Sequence, residues 1–200
     1  MAERQQASGG QSDEELIAAF QRGHQPAFDA LVGRYKDQLM NFVFRFVGDF
    51  DEADDVVQET LVRLFQKKDA YQPVAKFSTW IYTIAANLAK TRLRSRKRAS
   101  LFSLTRPGKG QDERDYELPD VRYRADSRAE SALQHELIQK ALNSIPPKYS
   151  EVVILCDVQE LSYEEICAIT GLNIGTVKSR LNRGRAQLQE LLKELEEEVG

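Results

Sequence analysis

Apolar residues return every three or four positions along most of this chain, and no stretch keeps a period-two alternation long enough to make a convincing strand. The pattern predicts an all-α fold. Ser12 or Asp13 caps a first helix carrying Leu16, Ile17 and Phe20, and Gly23 ends it. Pro26 opens a long second helix. Its Phe28, Leu31, Val32, Tyr35, Leu39, Phe42, Val43 and Phe46 hold helical spacing until Gly48 and Asp49 break the chain. A third helix starts near Asp51 and runs to about Lys67, with Ala53, Val56, Val57, Leu61, Leu64 and Phe65 as its apolar positions. A loop, Lys68 to Lys76, contains Pro73. The fourth helix spans Ser78 to about Arg98, with Ile81, Ile84, Ala85 and Leu88 inward.

The pattern then lapses. Residues 99–128 hold Pro107, Gly108, Gly110 and Pro119 with mixed charge and little periodic apolar content, the composition of a flexible linker. Helices resume near Ser127. Leu133, Leu137, Ile138, Ala141 and Leu142 share a face that Pro146 and Pro147 end, and Tyr149, Val152, Val153, Leu155 and Cys156 make a further short helix. The expected organisation is two small helical domains, 12–98 and 129–194, joined by the linker, with 1–11 a disordered tail.

The densest local signal lies in Leu161 to Leu188. Ser162 followed by Glu165 has the spacing of a capping box. Ile166 and Ile169 give that short helix an apolar face, and Gly171 supplies the positive φ of a tight turn. Asn173 caps the next helix, whose Val177, Leu181 and Leu188 pack inward. Its other face carries Thr176, Lys178, Ser179, Asn182, Arg183 and Arg185, and no acid occurs from Gly171 to Leu188. This is a helix-turn-helix whose second helix suits a DNA major groove.

Charge changes the picture of an otherwise ordinary composition. The net charge of −3 over 200 residues conceals strong segregation. Asp49 to Glu59 holds six acids and no base; Ala70 to Gln111 holds nine bases and no acid. Acids return in the linker, and the chain closes on Glu194, Glu196, Glu197 and Glu198. Such segregation implies two kinds of partner surface, the basic one most economically for nucleic acid. Cys156 and Cys167 are the only cysteines, with neither a disulfide framework nor a zinc pattern, and their apolar context predicts buried free thiols. No apolar run approaches membrane-spanning length and no secretory segment opens the chain, so a cytoplasmic protein without membrane insertion is expected. No further domain is expected beyond Gly200.

Two segments carry candidate chemistry besides the helix-turn-helix. Asp54, Asp55 and Glu59 form an acid cluster that is self-repulsive unless it meets cations, and Asp55 and Glu59 share a helix face. Acids at a helix start also favour its dipole, which accounts for Asp51, Glu52, Asp54 and Asp55 but not for Glu59. Phe77, Trp80 and Tyr82 precede Asn87, Lys90, Arg92 and Arg94, a combination that suits stacking on unpaired bases while cations hold phosphates. Trp80 and Ile84 suit core positions equally well. No catalytic triad, phosphate-binding glycine loop or metal-ligand cluster accompanies these residues, so neither an enzyme nor a cofactor is expected. Two rival readings stay open. One is a stand-alone helix-turn-helix regulator on a palindromic site; the other is a helical enzyme holding a metal on Asp54, Asp55 and Glu59.

Four motifs in order, DEADDVVQETLVRLFQK, FSTWIYTIAANLAKTRLRSRKR, the Ile145–Pro146–Pro147–Lys148–Tyr149 stretch and LSYEEICAITGLNIGTVKSRLNRGRAQL, resemble the extracytoplasmic-function (ECF) group of bacterial sigma factors, in the sigma-70 family. The resemblance covers roughly 13–192. It implies an initiation subunit that binds core RNA polymerase at the clamp helices of the largest subunit and at the flap, and promoter DNA at two elements. Sigma domain 2 would dock on polymerase through Asp54, Asp55, Val57, Gln58, Glu59 and Phe65. It would recognise and melt the −10 element through Tyr71, Lys76, Phe77, Trp80, Tyr82, Asn87, Lys90 and Arg94. Sigma domain 4 would read the −35 element through Thr176, Lys178, Ser179, Asn182, Arg183 and Arg185. An anti-sigma factor is implied as a further partner. The linker acids Asp112, Glu113, Asp115, Glu117 and Asp120 would lie toward the RNA exit path. Gly184 stands where alanine is commoner in the family, at a propensity cost of roughly 1 kcal/mol.

Overall fold

The computed structural model describes residues 10–103 and 128–199, so most of the tail and the linker acids Asp112, Glu113, Asp115, Glu117 and Asp120 lie outside the described residues. Within them the chain is helical, and each boundary has a local cause. Helix α1 (Asp13–Gln21) starts on a capping box, the Ser12 hydroxyl accepting from the Glu15 amide at 3.2 Å and the Glu15 carboxylate from the Ser12 amide at 2.7 Å. Helix α2 (Gln25–Val47) has proline in its first turn and ends on Gly48, whose φ of 74° and amide bond to the Phe44 carbonyl close the last turn. Asp49 then caps α3 (Phe50–Gln66), accepting from the Glu52 amide at 2.8 Å.

A single 3-10 turn (Lys68–Ala70) leads into the loop before α4 (Phe77–Ser103). Gln21 pins that loop by donating to the Lys68 and Tyr71 carbonyls, and Glu14 accepts from the Phe77 amide at 3.1 Å, capping α4 from a different helix. Helix α4 runs five residues past Arg98, where the fourth helix was expected to end. The charge pattern changes there, but no glycine or proline occurs before Pro107, and charge alone does not stop a helix.

The second group comprises α5 (Arg128–Ser144), α6 (Pro147–Val153), α7 (Tyr163–Thr170) and α8 (Ile174–Val199). A π-helical turn, Ile154–Val158, extends α6 and is capped by Gln159, after which Glu160 takes a φ of 53°. Ser162 and Glu165 make the expected capping box on α7, Gly171 closes it at φ 73°, and Asn173 accepts from the Thr176 amide at 2.8 Å to start α8.

Phe20, Leu31, Leu39, Phe42, Leu64, Phe77 and Ile81 are fully buried in the first group, and Ile154, Leu155, Ile166 and Leu181 in the second. Burying each such side chain favours folding by about 1.5–3 kcal/mol. The two groups share one contiguous core, with α5, α6 and the π turn against α2 and α7 against α4. At one crossing Gly48 lets the Asn143 side chain approach so closely that a Cβ there would sit 2.5 Å from its oxygen. Both cysteines are free and half-buried rather than fully buried, because each lies at the margin of the core. Among the described residues, no helix is long and apolar enough to cross a membrane.

Candidate nucleic-acid and polymerase interface

Three faces carry the residues singled out above. The first is α3. Asp54 accepts from the Gln58 amide nitrogen at 2.5 Å, Asp55 from Arg92 at 2.7 Å, and Glu59 pairs with Arg63 at 2.6 Å. Glu52 meets Arg92 and Arg96 at 3.6 and 3.3 Å. The acid cluster is thus balanced along one flank by bases of α4, and Arg92 bridges two of its members. Sequence reading left Arg92 among the basic-helix residues, since Asp55 and Arg92 lie 37 positions apart. Asp55, Gln58 and Glu59 remain exposed; Val57 is buried and holds the helix to the core instead of facing outward.

Beside these acids lies an apolar cleft lined by Phe28, Val32, Leu61, Val62 and Phe65, with Gln58 and Gln66 at its rim. Phe65 is 46% exposed and packs edge-on to Phe28 and tilted against Phe20, while Val62 is 51% exposed. Exposed apolar surface flanked by carboxylates suits a partner that is both basic and apolar.

The second face is α4 with the loop before it. Tyr71, Phe77 and Trp80 form one ring cluster, and Tyr35 joins it through an edge contact with Phe77 at 5.3 Å. Tyr71 and Phe77 are buried and Trp80 half-buried, so only Trp80 of the three offers ring surface in this conformation. Tyr82 is buried as well, edge-on to Phe42, and its phenol donates to Gln159 at 2.6 Å. Burial pushes the Tyr82 phenol above its usual range, and burial together with Asp13 does the same at Tyr35. Lys76, Asn87 and Arg94 are exposed. Lys90 is half-buried and meets the Glu151 carboxylate at 2.7 Å.

The third face is α8. Lys178, Ser179, Asn182, Arg183 and Arg185 are exposed and Thr176 is half-buried, while Val177 and Leu181 are buried behind them. Lys178 lies 5.8 Å from the Tyr163 ring centre. Arg185 forks onto Asp157, at 3.0 Å through Nε and 2.5 Å through Nη2, and that bond raises its guanidinium pKa further. The π turn presents Asp157 for this contact, and the same carboxylate adds to burial in raising the neighbouring Cys156 thiol. Gly184 is buried where α8 crosses α6: a Cβ there would meet Val153 Cγ2 at 2.7 Å. Its cost in helix propensity is therefore offset by a close approach that only glycine allows.

Glu151, Asp157, Gln159 and Glu165 were not anticipated as partners of candidate residues. Glu151 had a readable signal, a carboxylate inside the apolar run Tyr149–Cys156, which calls for a buried cation.

The Sigma-70 region 2 family model matches residues 31–99, and that of Sigma-70, region 4 matches 135–188. The chain is 36% identical over 172 residues to the ECF RNA polymerase sigma factor SigE of Mycolicibacterium smegmatis, covering 84% of this chain but 62% of that protein. It is 34% identical over 185 residues to the ECF RNA polymerase sigma factor SigW of Bacillus subtilis, covering 90% of this chain and 96% of that one. Among solved structures, the sigma factor RpoE in complex with the anti-sigma factor NepR from Bartonella quintana matches with a TM-score of 0.68 and 30% identity, over 83% of this chain and 96% of that one.

Proposed function

Since this chain belongs to the ECF group of the sigma-70 family and is a sigma factor of transcription initiation, we propose that its three faces divide the work of promoter use. The α3 acids Asp54, Asp55 and Glu59, with Gln58 and the exposed Phe65, dock on the basic clamp helices of core RNA polymerase. Lys76, Trp80, Asn87, Lys90 and Arg94 take the unpaired −10 strand, with Tyr71, Phe77 and Tyr82 shaping the pocket for an extruded base. Thr176, Lys178, Ser179, Asn182, Arg183 and Arg185 read the −35 duplex, and α5–α8 also meet the polymerase flap. The protein works by binding: melting draws on tighter binding of the open strand than of the duplex. An anti-sigma protein is the natural antagonist of the same faces.

One observation carries this reading. A carboxylate face beside an apolar cleft, a basic helix with a half-buried tryptophan, and a recognition helix free of acids up to Leu188 occur on separate surfaces of one chain. A palindrome-binding regulator needs only the last of these. Asp54, Asp55 and Glu59 are held by Gln58, Arg92 and Arg63, which keeps the carboxylates on one face of α3.

The test is selection of promoters from a randomised library by polymerase reconstituted with the full chain. The expected product is two sequence blocks at fixed spacing. Arg183→Ala should relax only the upstream block, and Asn87→Ala only the downstream one. A single palindromic block, or both variants relaxing the same block, would overturn the assignment.

A further inference from the structure

The loop ahead of α4 is fastened at both ends by α1. Gln72, Pro73, Val74, Ala75 and Lys76 are exposed, Val74 at 88%, while Tyr71 and Phe77 on either side of them are buried. At the entry, Gln21 Nε2 donates to the Lys68 and Tyr71 carbonyls at 2.8 and 3.0 Å, and Lys68 Nζ donates back to the Phe20 carbonyl at 2.9 Å. At the exit, Glu14 Oε1 accepts from the Phe77 amide at 3.1 Å. Between the two ends the loop ties to itself. The Tyr71 hydroxyl donates to the Ala75 carbonyl at 2.9 Å, and the Val74 amide donates to the Gln72 carbonyl at 2.7 Å around Pro73.

We propose that Glu14 and Gln21 of α1 are positioning residues for base selection: they hold the exposed loop before α4 in the shape that receives an extruded base, and act through its backbone. The proposal rests on the reading of α4 and its loop as the strand-binding face.

The physical case is one of preorganisation. Exposed loops are ordinarily mobile, and a loop that must be ordered when the ligand arrives weakens binding by the entropy it loses. This loop lacks the local means to order its own end. The residue before Phe77 is Lys76, whose ammonium cannot accept a hydrogen bond, so α4 has no side-chain cap from its own sequence and its first amide depends on Glu14. Gln21 does the corresponding work at the entry, where one side-chain amide bridges two carbonyls and sets the direction in which the chain leaves the 3-10 turn. Tyr71 passes that direction on, since its ring packs 5.5 Å from Trp80 while its hydroxyl holds Ala75. Burial first, then Glu14, raises the Tyr71 phenol, which keeps it a donor to that carbonyl. Glu14 is itself exposed and anionic, ill suited to a phosphate, and its bond to a backbone amide is the use its position allows.

Two readouts on the full chain test this. Amide hydrogen exchange across Gln72 to Lys76 reports the order of the loop. Promoter selection from the randomised library by reconstituted polymerase reports base choice. Gln21→Met keeps the size of the side chain and removes its donors, and Glu14→Ala removes the acceptor. Each hydrogen bond lost should speed loop exchange about fivefold, so Gln21→Met alone, the milder change to the fold, already gives a measurable rise. The two together should cut the preference for the downstream block about tenfold, the factor expected if the binding-competent fraction of the loop falls to about a tenth. The upstream block and the affinity for core enzyme should stay as in wild type. Glu14→Gln keeps an acceptor and should keep both loop order and preference. Glu15→Ala breaks the capping box of the same helix and should leave the downstream preference intact. Equal relaxation by Glu15→Ala, or faster loop exchange without relaxation in the double variant, would overturn the positioning role. An unchanged preference in the double variant while Asn87→Ala relaxes the downstream block would overturn it too, and leave the strand-binding reading standing. An unchanged preference in both would overturn the strand-binding reading and the proposal with it.

Discussion

Replacing Gly184 with alanine should destabilise the protein, although alanine is the better helix former. In an exposed helix interior the exchange is favourable by about 1 kcal/mol. Gly33, in the middle of α2 with nothing within 4 Å of its would-be Cβ, meets that condition. At Gly184 the added Cβ sits 2.7 Å from Val153 Cγ2, 3.3 Å from Tyr149 Cβ and 3.4 Å from the Tyr149 carbonyl oxygen. Val153 is buried and β-branched, so its χ1 is confined to one well in a helix and the methyl has nowhere to turn. The α6–α8 spacing must open instead, and such overpacking costs about 1–3 kcal/mol. The balance is a net loss of about 1 kcal/mol, or some 2–4 °C in melting temperature for a chain of this size. Thermal and urea unfolding of Gly33→Ala and Gly184→Ala, followed by circular dichroism, compares the two terms directly. Gly33→Ala should rise by what Gly184→Ala fails to gain, and Val153→Ala should suppress the cost of the alanine at 184. Equal stabilisation by both alanines would refute the close-approach argument.

Two further outcomes follow from the capping and ionic contacts of α7. Ser162→Ala removes a capping-box acceptor and should cost about 1 kcal/mol, lowering the melting temperature by a few degrees without altering helicity elsewhere. Because the folded-state Glu165 carboxyl titrates below its ordinary value of 4.5, its contribution to stability is present above that pH and fades as the pH falls through the folded value. Lys76 titrates above its ordinary 10.5, so its side of the pair is lost only as the pH rises beyond that. The stability advantage of wild type over Glu165→Gln, measured by melts across pH, should be flat near neutrality and vanish in acid. An advantage that persists in acid would contradict it.

What the sequence made legible was local. The Ser162–Glu165 box, the left-handed Gly171 and the Asn173 cap each involve residues within a few positions of one another, so spacing alone specifies them. The end of α4 was placed five residues short, because no glycine or proline marks it before Pro107. Burial of Phe77 and Tyr82 was not legible, since it depends on Tyr35 and Phe42 arriving from α2. The same holds for Asp55 with Arg92 and Lys90 with Glu151, whose partners meet only through tertiary packing. The chemical character of each face could be read from composition along a helix. The intramolecular partner of each side chain could not.

Docking of the α3 face on RNA polymerase is tested by the affinity of the full chain for purified bacterial core enzyme, with and without Asp55→Ala and Glu59→Ala combined. Their own pairs, with Arg92 and Arg63, are exposed, so the exchange should cost the fold no more than about 1 kcal/mol. Charge-assisted contacts to the enzyme are worth about 1.5–3 kcal/mol each. Wild type should therefore bind, and the double variant should bind about a hundredfold or more weakly while keeping its helicity and melting temperature. Absence of wild-type binding, or equal binding by the two proteins, would contradict the account.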